Sequence, residues 1–139
     1  MNCHFSKLAV IAGMFSYFTV GTALAAGCPC AGGDVMSNLQ ITQDLGNKTV
    51  CASYASDKWQ EWHKNDGSIF EMGNTPGGEG VGGWSVSADP SAKIIYSYTG
   101  DPQPYSYTVC KEGSNTYHFC GATNVTGAWT TSGGSACGF

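Results

Sequence analysis

Arginine is absent from this 139-residue sequence, and charge of either sign is scarce. All six basic residues are lysines, and charged residues make up 12% of the chain, against about 25% in an average soluble domain. Without a basic surface the chain cannot release counterions from nucleic-acid phosphates, and without arginine it cannot form a bidentate phosphate clamp. The composition therefore excludes a nucleic-acid partner.

A long hydrophobic run is also missing. The longest apolar stretch, residues 8–20, is shorter than the roughly 20 residues that span a bilayer, so the sequence predicts no transmembrane segment. The stretch follows Lys7 and precedes the small residues 23–27, an arrangement typical of a secretory signal peptide. We therefore expect residues 1–26 to be a cleaved signal peptide and residues 27–139 to form a single secreted or periplasmic domain.

Leucine is nearly absent from the predicted mature chain, which contains only Leu39 and Leu45. One short N-terminal helix is predicted around these residues, with Asp34 or Ser37 as its N-cap and Gly46 at its end. The other apolar residues are mostly aromatic or β-branched, which favours strands. Turn residues divide the remaining chain into eight predicted strands, at residues 48–52, 59–64, 68–72, 83–87, 93–99, 105–111, 116–120 and 125–130.

This pattern predicts a mainly β fold, either a small antiparallel up-and-down barrel or a strongly curled sheet of about eight short strands. Asn65-Asp66-Gly67 is the strongest hairpin signal, because Asp-Gly tolerates the positive φ of a tight turn. The Gly-rich residues 73–80 are expected to form a loop without regular structure.

Six of the seven cysteines lie in the predicted mature chain, at positions 28, 30, 51, 110, 120 and 137, and we interpret them as structural disulfides. Cys28 and Cys30 are too close in sequence to bond to each other without strain. Cys137 is the expected partner of one of them. In an alternative interpretation, Cys28 ends a lipobox and carries a lipid, which would leave an odd number of cysteines. The spacing fits neither a redox C-x-x-C motif nor a usual zinc site, so we expect no metal and no cofactor.

The sequence offers few candidates for catalysis. We interpret His63 and His118 as solvated strand histidines, and Glu61 and Glu71 as carboxylates on an exposed strand face, although pairing across the hairpin could bring these two together. No nucleophile motif accompanies them. We therefore do not expect an enzyme.

The aromatic residues point more clearly to binding. The predicted mature chain has four Trp, and together with five tyrosines they exceed what such a small sheet can bury; the tyrosines are Tyr96, Tyr98, Tyr105, Tyr107 and Tyr117. Some of these rings are therefore expected to form a platform or line a cavity for a ligand. Trp59 and Trp62 have opposite strand parity, so at least one of them faces away from the core. Together with Trp84 they are the predicted ligand-binding residues.

Over about residues 45–121 the chain resembles a group of small exported bacterial proteins of uncharacterised function. The resemblance rests on segments 49–51, 59–63, 66–67, 82–85, 96–98, 105–109 and 117–120. It implies a bridge between Cys51 and Cys120. Gly82-Gly83-Trp84 also resembles the G-x-W motif of lipocalin-like barrels, although that motif lies on the first strand in lipocalins and in mid-chain here, which makes it an architectural analogy.

These observations lead to one main functional hypothesis and two alternatives. The main one is an exported, non-enzymatic β-domain that binds a small molecule, sugar or peptide through exposed aromatics. The first alternative is a structural surface, matrix or filament subunit that self-associates through intermolecular disulfides. The second is an inhibitor of a secreted protease.

Overall fold

The structure is a computed structural model that describes residues 28, 30, 35–73 and 77–139. The predicted signal peptide and the candidate cap Asp34 lie outside these residues. A helix, α1 (Asn38–Leu45), precedes eight strands. The strands are β1 (Lys48–Tyr54), β2 (Asp57–His63), β3 (Ser68–Glu71), β4 (Glu79–Val86), β5 (Ile94–Tyr98), β6 (Tyr105–Glu112), β7 (Thr116–Cys120) and β8 (Val125–Ser132).

The eight strands form a closed up-and-down barrel. Each strand pairs antiparallel with the next, and β8 returns to pair with β1 over Lys48↔Ser132 to Cys51↔Trp129. The predicted fold class is therefore confirmed, including the short N-terminal helix and the stapling by disulfides. Among the two shapes that the sequence left open, the structure is the barrel.

Alternation along the strands decides which side chains fill the lumen. Val50 and Ala52 on β1, Tyr96 on β5 and Phe119 on β7 are all fully buried. Their neighbours in sequence point to the outer wall, where small and polar residues predominate. The core is therefore the interior of the barrel rather than a layer beneath a sheet.

The largest difference from the predicted strand boundaries is at the start of β4. β4 begins at Glu79, inside the stretch that was expected to be a loop, because Glu79 and Gly80 pair with Glu71 and Phe70 of β3. Further along the strand, a side chain at Gly82 would collide with the backbone of Ser97 on β5. Glycine here lets neighbouring strands approach closely, which is a role that composition alone does not reveal.

Helix α1 closes one end of the barrel, which we call the helix end. Ser37 caps the helix through a capping box with Gln40, and Gly46 follows its last residue, as the sequence predicts. Ile41 and Leu45 are fully buried in the barrel core. In the part of the chain that the structure describes, no helix is long and apolar enough to span a bilayer.

The opposite end, which we call the far end, is formed by the connections β1–β2, β3–β4, β5–β6 and β7–β8. Tyr54 closes β1 there and is 49% exposed, and Tyr105 opens β6 and is 36% exposed. No described helix crosses this end.

Three disulfides hold the two terminal segments against the outer wall. Cys28 bonds to Cys120 and Cys30 to Cys110, so the N-terminal segment is fixed to β6 and β7. The distant partners expected for Cys28 and Cys30 are confirmed, with separations of 92 and 80 residues. Cys51 bonds to Cys137 and fixes the C-terminal segment to β1.

Two expectations about pairing are wrong. Cys137 does not reach Cys28 or Cys30, and Cys51 does not bond to Cys120. The reason is barrel geometry: β8 separates β1 from β7, whereas the C-terminal segment runs along β1 and β2. There the Cys137 backbone N–H donates to the Gln60 side chain at 3.1 Å, and Gln60 is the cross-strand partner of Cys51.

If α1 seals the core, its two leucines should differ in their effect on stability. Leu45→Ala should lower the free energy of unfolding by about 2–5 kcal/mol, because it empties a fully buried site. Leu39→Ala, at a position that is 62% exposed on the same helix, should change it by less than about 0.5 kcal/mol. Urea unfolding of the oxidised protein measures both, and equal effects would contradict this role of the helix.

Candidate functional site

Aromatic rings line the lumen from its centre to the far end. The Trp59 ring meets Tyr96 and Phe119 edge-on, with centroids 5.6 and 5.5 Å apart. The series of contacts continues from Tyr96 to Tyr98 at 6.1 Å and from Tyr98 to Tyr105 at 5.8 Å. Because Tyr98 ends β5 and Tyr105 begins β6, the rings extend from the buried core to the exposed far end.

The structure does not bring the three predicted tryptophans together. Trp59 points into the lumen, whereas Trp62 lies on the outer wall and packs against Phe70 at 6.2 Å. This placement agrees with their opposite strand parity. Trp84 lies towards the helix end, where its ring stacks on His63 at 5.1 Å. Of the three, only Trp59 belongs to the aromatic series that leads to the far end.

Glu61 is buried among these rings. It is 5% exposed, and its Oε2 accepts a hydrogen bond of 3.0 Å from the Tyr98 hydroxyl. Its cross-strand partner is Glu71, the last residue of β3, so the pair lies at the far-end edge of that hairpin. The expectation that Glu61 sits on an exposed face is wrong, whereas the predicted approach of Glu61 and Glu71 is confirmed.

Burial changes the acidity of Glu61. Loss of solvation raises its pKa from 4.5 to about 7, and the charge of Glu71 adds to this effect. The side chains of Trp59 and Tyr98 stabilise the charged form and offset the change in part. Glu61 is therefore a carboxyl group that exchanges its proton near neutral pH, inside a mostly apolar lumen.

His63 lies deeper, towards the helix end, and is fully buried. Neither ring nitrogen has a hydrogen-bond partner among the described residues. Burial lowers the pKa of His63 to about 3, so the imidazole is neutral. The expectation that His63 is solvated is therefore wrong, because it shares the inward face of β2 with Trp59 and Glu61.

His118 is also buried rather than solvated, but it is well satisfied. Its Nδ1 accepts from the Gly127 backbone N–H at 3.2 Å, which leaves the proton on Nε2 to donate to Glu112 at 3.0 Å. His118 lies on the outer wall of β7, opposite Cys110 of β6. It has a structural role there and is no part of the lumen.

The third polar group in the lumen, after Glu61 and His63, is the hydroxyl of Tyr96. The Tyr96 hydroxyl is buried and makes no hydrogen bond to any described residue. Burial raises its pKa well above 10.0, and the nearby Glu61 and Tyr98 raise it further. Glu61, Tyr96 and Tyr98 thus form a polar cluster surrounded by aromatic rings, which we call the lumen cluster.

Sequence reasoning missed this cluster although a signal was present. Alternation places Trp59, Glu61 and His63 on one face of β2. If the Trp59 ring packs in the core, the side chains two and four positions further along the strand also face inward. Taken one residue at a time, the carboxylate of Glu61 and the imidazole of His63 each fit an exposed strand position. The inward face becomes evident only when these two residues are considered together with Trp59.

Charge is distributed unevenly between the two ends of the barrel. The helix end carries four lysines and four acidic residues, namely Lys48, Lys64, Lys93, Lys111, Asp44, Asp66, Asp89 and Glu112. The far end carries Asp57, Glu71, Glu79 and Asp101 against Lys58. The net negative charge of the described residues therefore belongs to the far end and to Glu61 between the two ends.

Two other features are weaker candidates. A hollow of about 330 Å³ lies outside the barrel near the helix end, where Asn38, Thr42, Asn65 and Trp84 contribute to its lining. On the outer wall, the sulfurs of Cys28, Cys30 and Cys120 lie within 4.8 Å of one another. These sulfurs belong to two adjacent disulfides, and metal ligation requires free thiolates.

Glu61 and His63, the two buried ionisable residues of β2, predict a specific dependence of protein stability on pH. The pKa of Glu61 rises on folding, so its contribution to stability is present below about pH 4.5 and is lost as the pH rises to about 7. The pKa of His63 falls on folding, so its contribution is present above about pH 6.5 and is lost as the pH falls to about 3. Between about pH 4.5 and 6.5 the two slopes oppose each other.

Single variants should expose each slope, as measured by urea unfolding across this range. Relative to the wild type, Glu61→Gln should gain stability with rising pH, by about 1.4 kcal/mol per pH unit. His63→Phe should lose stability with rising pH at a similar rate. Difference curves that stay flat would contradict the burial of these two groups.

Comparison of the chain with models of protein families, with curated proteins and with solved structures finds no match.

Proposed function

We propose that this protein is an exported, non-enzymatic binding module that takes a small ligand at the far end of its barrel. The observation that carries the proposal is the lumen cluster: a buried carboxyl and a buried, unpartnered hydroxyl surrounded by aromatic rings that continue to the exposed Tyr105. Aromatic walls with a few convergent polar groups are typical of small-molecule sites.

The energetic cost of the lumen cluster supports a role beyond stability. A buried polar group without a partner costs about 1–3 kcal/mol, and a phenylalanine in place of Tyr96 would fill nearly the same volume without that cost. Glu61 carries a further desolvation cost, which is visible in its raised pKa. A ligand that offers hydrogen bonds to these groups would recover part of this free energy.

The scaffold around the cluster is well suited to binding. The barrel closes on itself, helix α1 seals one end, and three disulfides fix both terminal segments to the outer wall. Such a frame restricts the motion of the lumen side chains before a ligand arrives, and preorganisation of this kind increases affinity. Disulfides are also typical of proteins that fold outside the cytoplasm, in line with the predicted export.

The alternatives have less support. Self-association through intermolecular disulfides needs unpaired cysteines, and all six cysteines of the described residues pair within the chain. No feature of the described residues specifically favours a protease inhibitor. Perturbed pKa values like those of Glu61 and His63 also occur in enzymes. However, His63 packs between the rings of Trp84 and Tyr96, and neither of its ring nitrogens has a hydrogen-bond partner among the described residues, which favours binding over catalysis.

The proposal is tested by titrating the protein with a panel of ligands and following its amide and indole NMR signals. Suitable probes are glucose, N-acetylglucosamine, phenethyl alcohol, phenethylamine and choline. We expect at least one probe to give saturable shifts centred on the Trp59 indole and on Tyr98, Tyr105 and Tyr107. Tyr105→Ala should weaken that binding about three- to tenfold, since aromatic contacts contribute about 0.5–1.5 kcal/mol.

Leu39→Ala is the matched control, because it also truncates an exposed apolar side chain but lies on α1 at the helix end. It should leave the affinity unchanged. Shifts confined to the outer hollow near Trp84 would contradict the proposed site. If none of the probes gives saturable shifts and the protein forms covalent multimers on a non-reducing gel, the structural subunit is favoured instead.

A further inference from the structure

We propose that the ligand of the far-end site is a small organic ammonium ion, whose cationic group binds between the Glu61 carboxylate and the faces of the surrounding tyrosine rings. This inference rests on the proposed function and names its ligand class. The candidates are amines and quaternary ammonium compounds small enough to enter the barrel from the far end.

Glu61 lacks a cationic partner. The side chains that stabilise its charged form are both neutral: Trp59, and Tyr98, whose hydroxyl donates to Glu61 at 3.0 Å. Among the described residues no lysine pairs with it, and Lys64 and Lys111 form their ion pairs with Asp66 and Asp44 at the helix end. A buried carboxylate is normally paired, so the site lacks one positive charge that a ligand can supply.

The walls around Glu61 favour a cation. Tyr98 contacts Tyr105 edge-on at 5.8 Å, and Tyr107 contacts Tyr96 and Phe119 edge-on at 6.0 and 6.2 Å. Rings at steep angles to one another present faces in several directions, and each face carries the negative end of the ring quadrupole. Such a group of faces around one anionic residue is the arrangement that attracts ammonium ions.

The far end also attracts cations at longer range. Four carboxylates surround the approach to the lumen, against a single lysine, whereas the helix end is balanced. Asp101 has a second effect, because it accepts a hydrogen bond of 3.0 Å from the Tyr105 hydroxyl and so orients that ring. A negative field at the entrance raises the local concentration of cations and repels anionic ligands.

Binding of this kind depends on pH. The titratable groups around Glu61 are Glu71 from β3, Tyr96 and Tyr98 from β5, Tyr107 from β6 and, on its own strand, His63. Its cross-strand partner on β1 is the apolar Val50, and Tyr54 at the end of β1 interacts with Tyr107. Burial raises the pKa of Tyr96, Tyr98 and Tyr107 and lowers that of His63, so all four remain neutral around pH 7.

The remaining buried group that changes charge in this range is Glu61 itself, whose pKa is about 7. A cation binds the ionised carboxylate better than the protonated acid. Affinity should therefore rise with pH through this region, and binding should release a proton. A neutral ligand should show neither effect.

The experiment compares two pairs of probes of nearly equal shape. Phenethylamine is paired with phenethyl alcohol, and choline with its uncharged isostere, in which a tert-butyl group replaces the trimethylammonium group. Dissociation constants are measured by calorimetry and by NMR at about pH 6 and about pH 8, on the two sides of the Glu61 pKa. We expect at least one cation to bind about tenfold tighter than its neutral partner at the higher pH, and to lose most of that preference at the lower pH.

Glu61→Gln is the decisive variant, because it keeps the shape of the side chain and removes the charge. It should abolish both the preference for the cation and the pH dependence. Glu112→Gln removes the same charge at the helix end and should preserve both. If Glu61→Gln does not fold, Tyr98→Phe replaces it, since loss of the donated hydrogen bond should move the pH midpoint of binding upwards.

The possible outcomes separate this inference from the proposed function. If neutral and cationic probes bind the far end equally, or if cation binding does not respond to pH, the ligand class is wrong while the binding site remains. If the preference for the cation persists unchanged in Glu61→Gln, the role of the carboxylate is wrong. If no probe of either kind shifts the far-end signals, the proposed function itself fails.

Discussion

The pairing of β8 with β1 is the constraint on which the other features of this protein depend. It closes the sheet, and a closed sheet has no edge at which a further strand can add. It also divides every strand into residues that face the lumen and residues that face outward. The three disulfides join the described parts of the terminal segments to cysteines of β1, β6 and β7 that face outward, so these segments lie on the outer wall.

Closure also explains how the lumen can hold groups that destabilise it. The interior of an eight-stranded barrel can hold side chains or one small ligand, and here large aromatic rings leave the Tyr96 hydroxyl and the His63 nitrogens without hydrogen-bond partners among the described residues. Disulfides that close loops of 80 to 92 residues oppose this cost. In the entropic model each contributes on the order of 4 kcal/mol, which exceeds the cost of a single unsatisfied group.

The sequence predicts the wall of this barrel better than its interior. Turn residues such as Asp66-Gly67 and the cap Ser37 act locally, so the eight strands and the helix are found close to their predicted positions. Alternation sorts residues into two faces, but Trp59 and Trp62 place large aromatics on both faces of β2. The inward face, and with it the burial of Glu61 and His63, is decided only when the sheet closes. The partner of Cys137 depends on the path of the C-terminal segment, which no local signal determines.

The two buried ionisable groups on β2, His63 and Glu61, differ in their position along the barrel and in their protonation state at neutral pH. His63 is near the helix end, where Trp84 stacks on it and Tyr96 packs against it at an angle, and burial lowers its pKa to about 3, so it is neutral at neutral pH. Glu61 is level with the last residue of β3, below the acidic far end, and its charged and neutral forms are nearly equal in free energy at neutral pH. A group so balanced responds to any cation that approaches it, because the ligand needs to supply only a small free energy to ionise the carboxyl. The placement of Glu61, rather than its chemistry alone, is therefore the reason for proposing the far end of this barrel as the binding site.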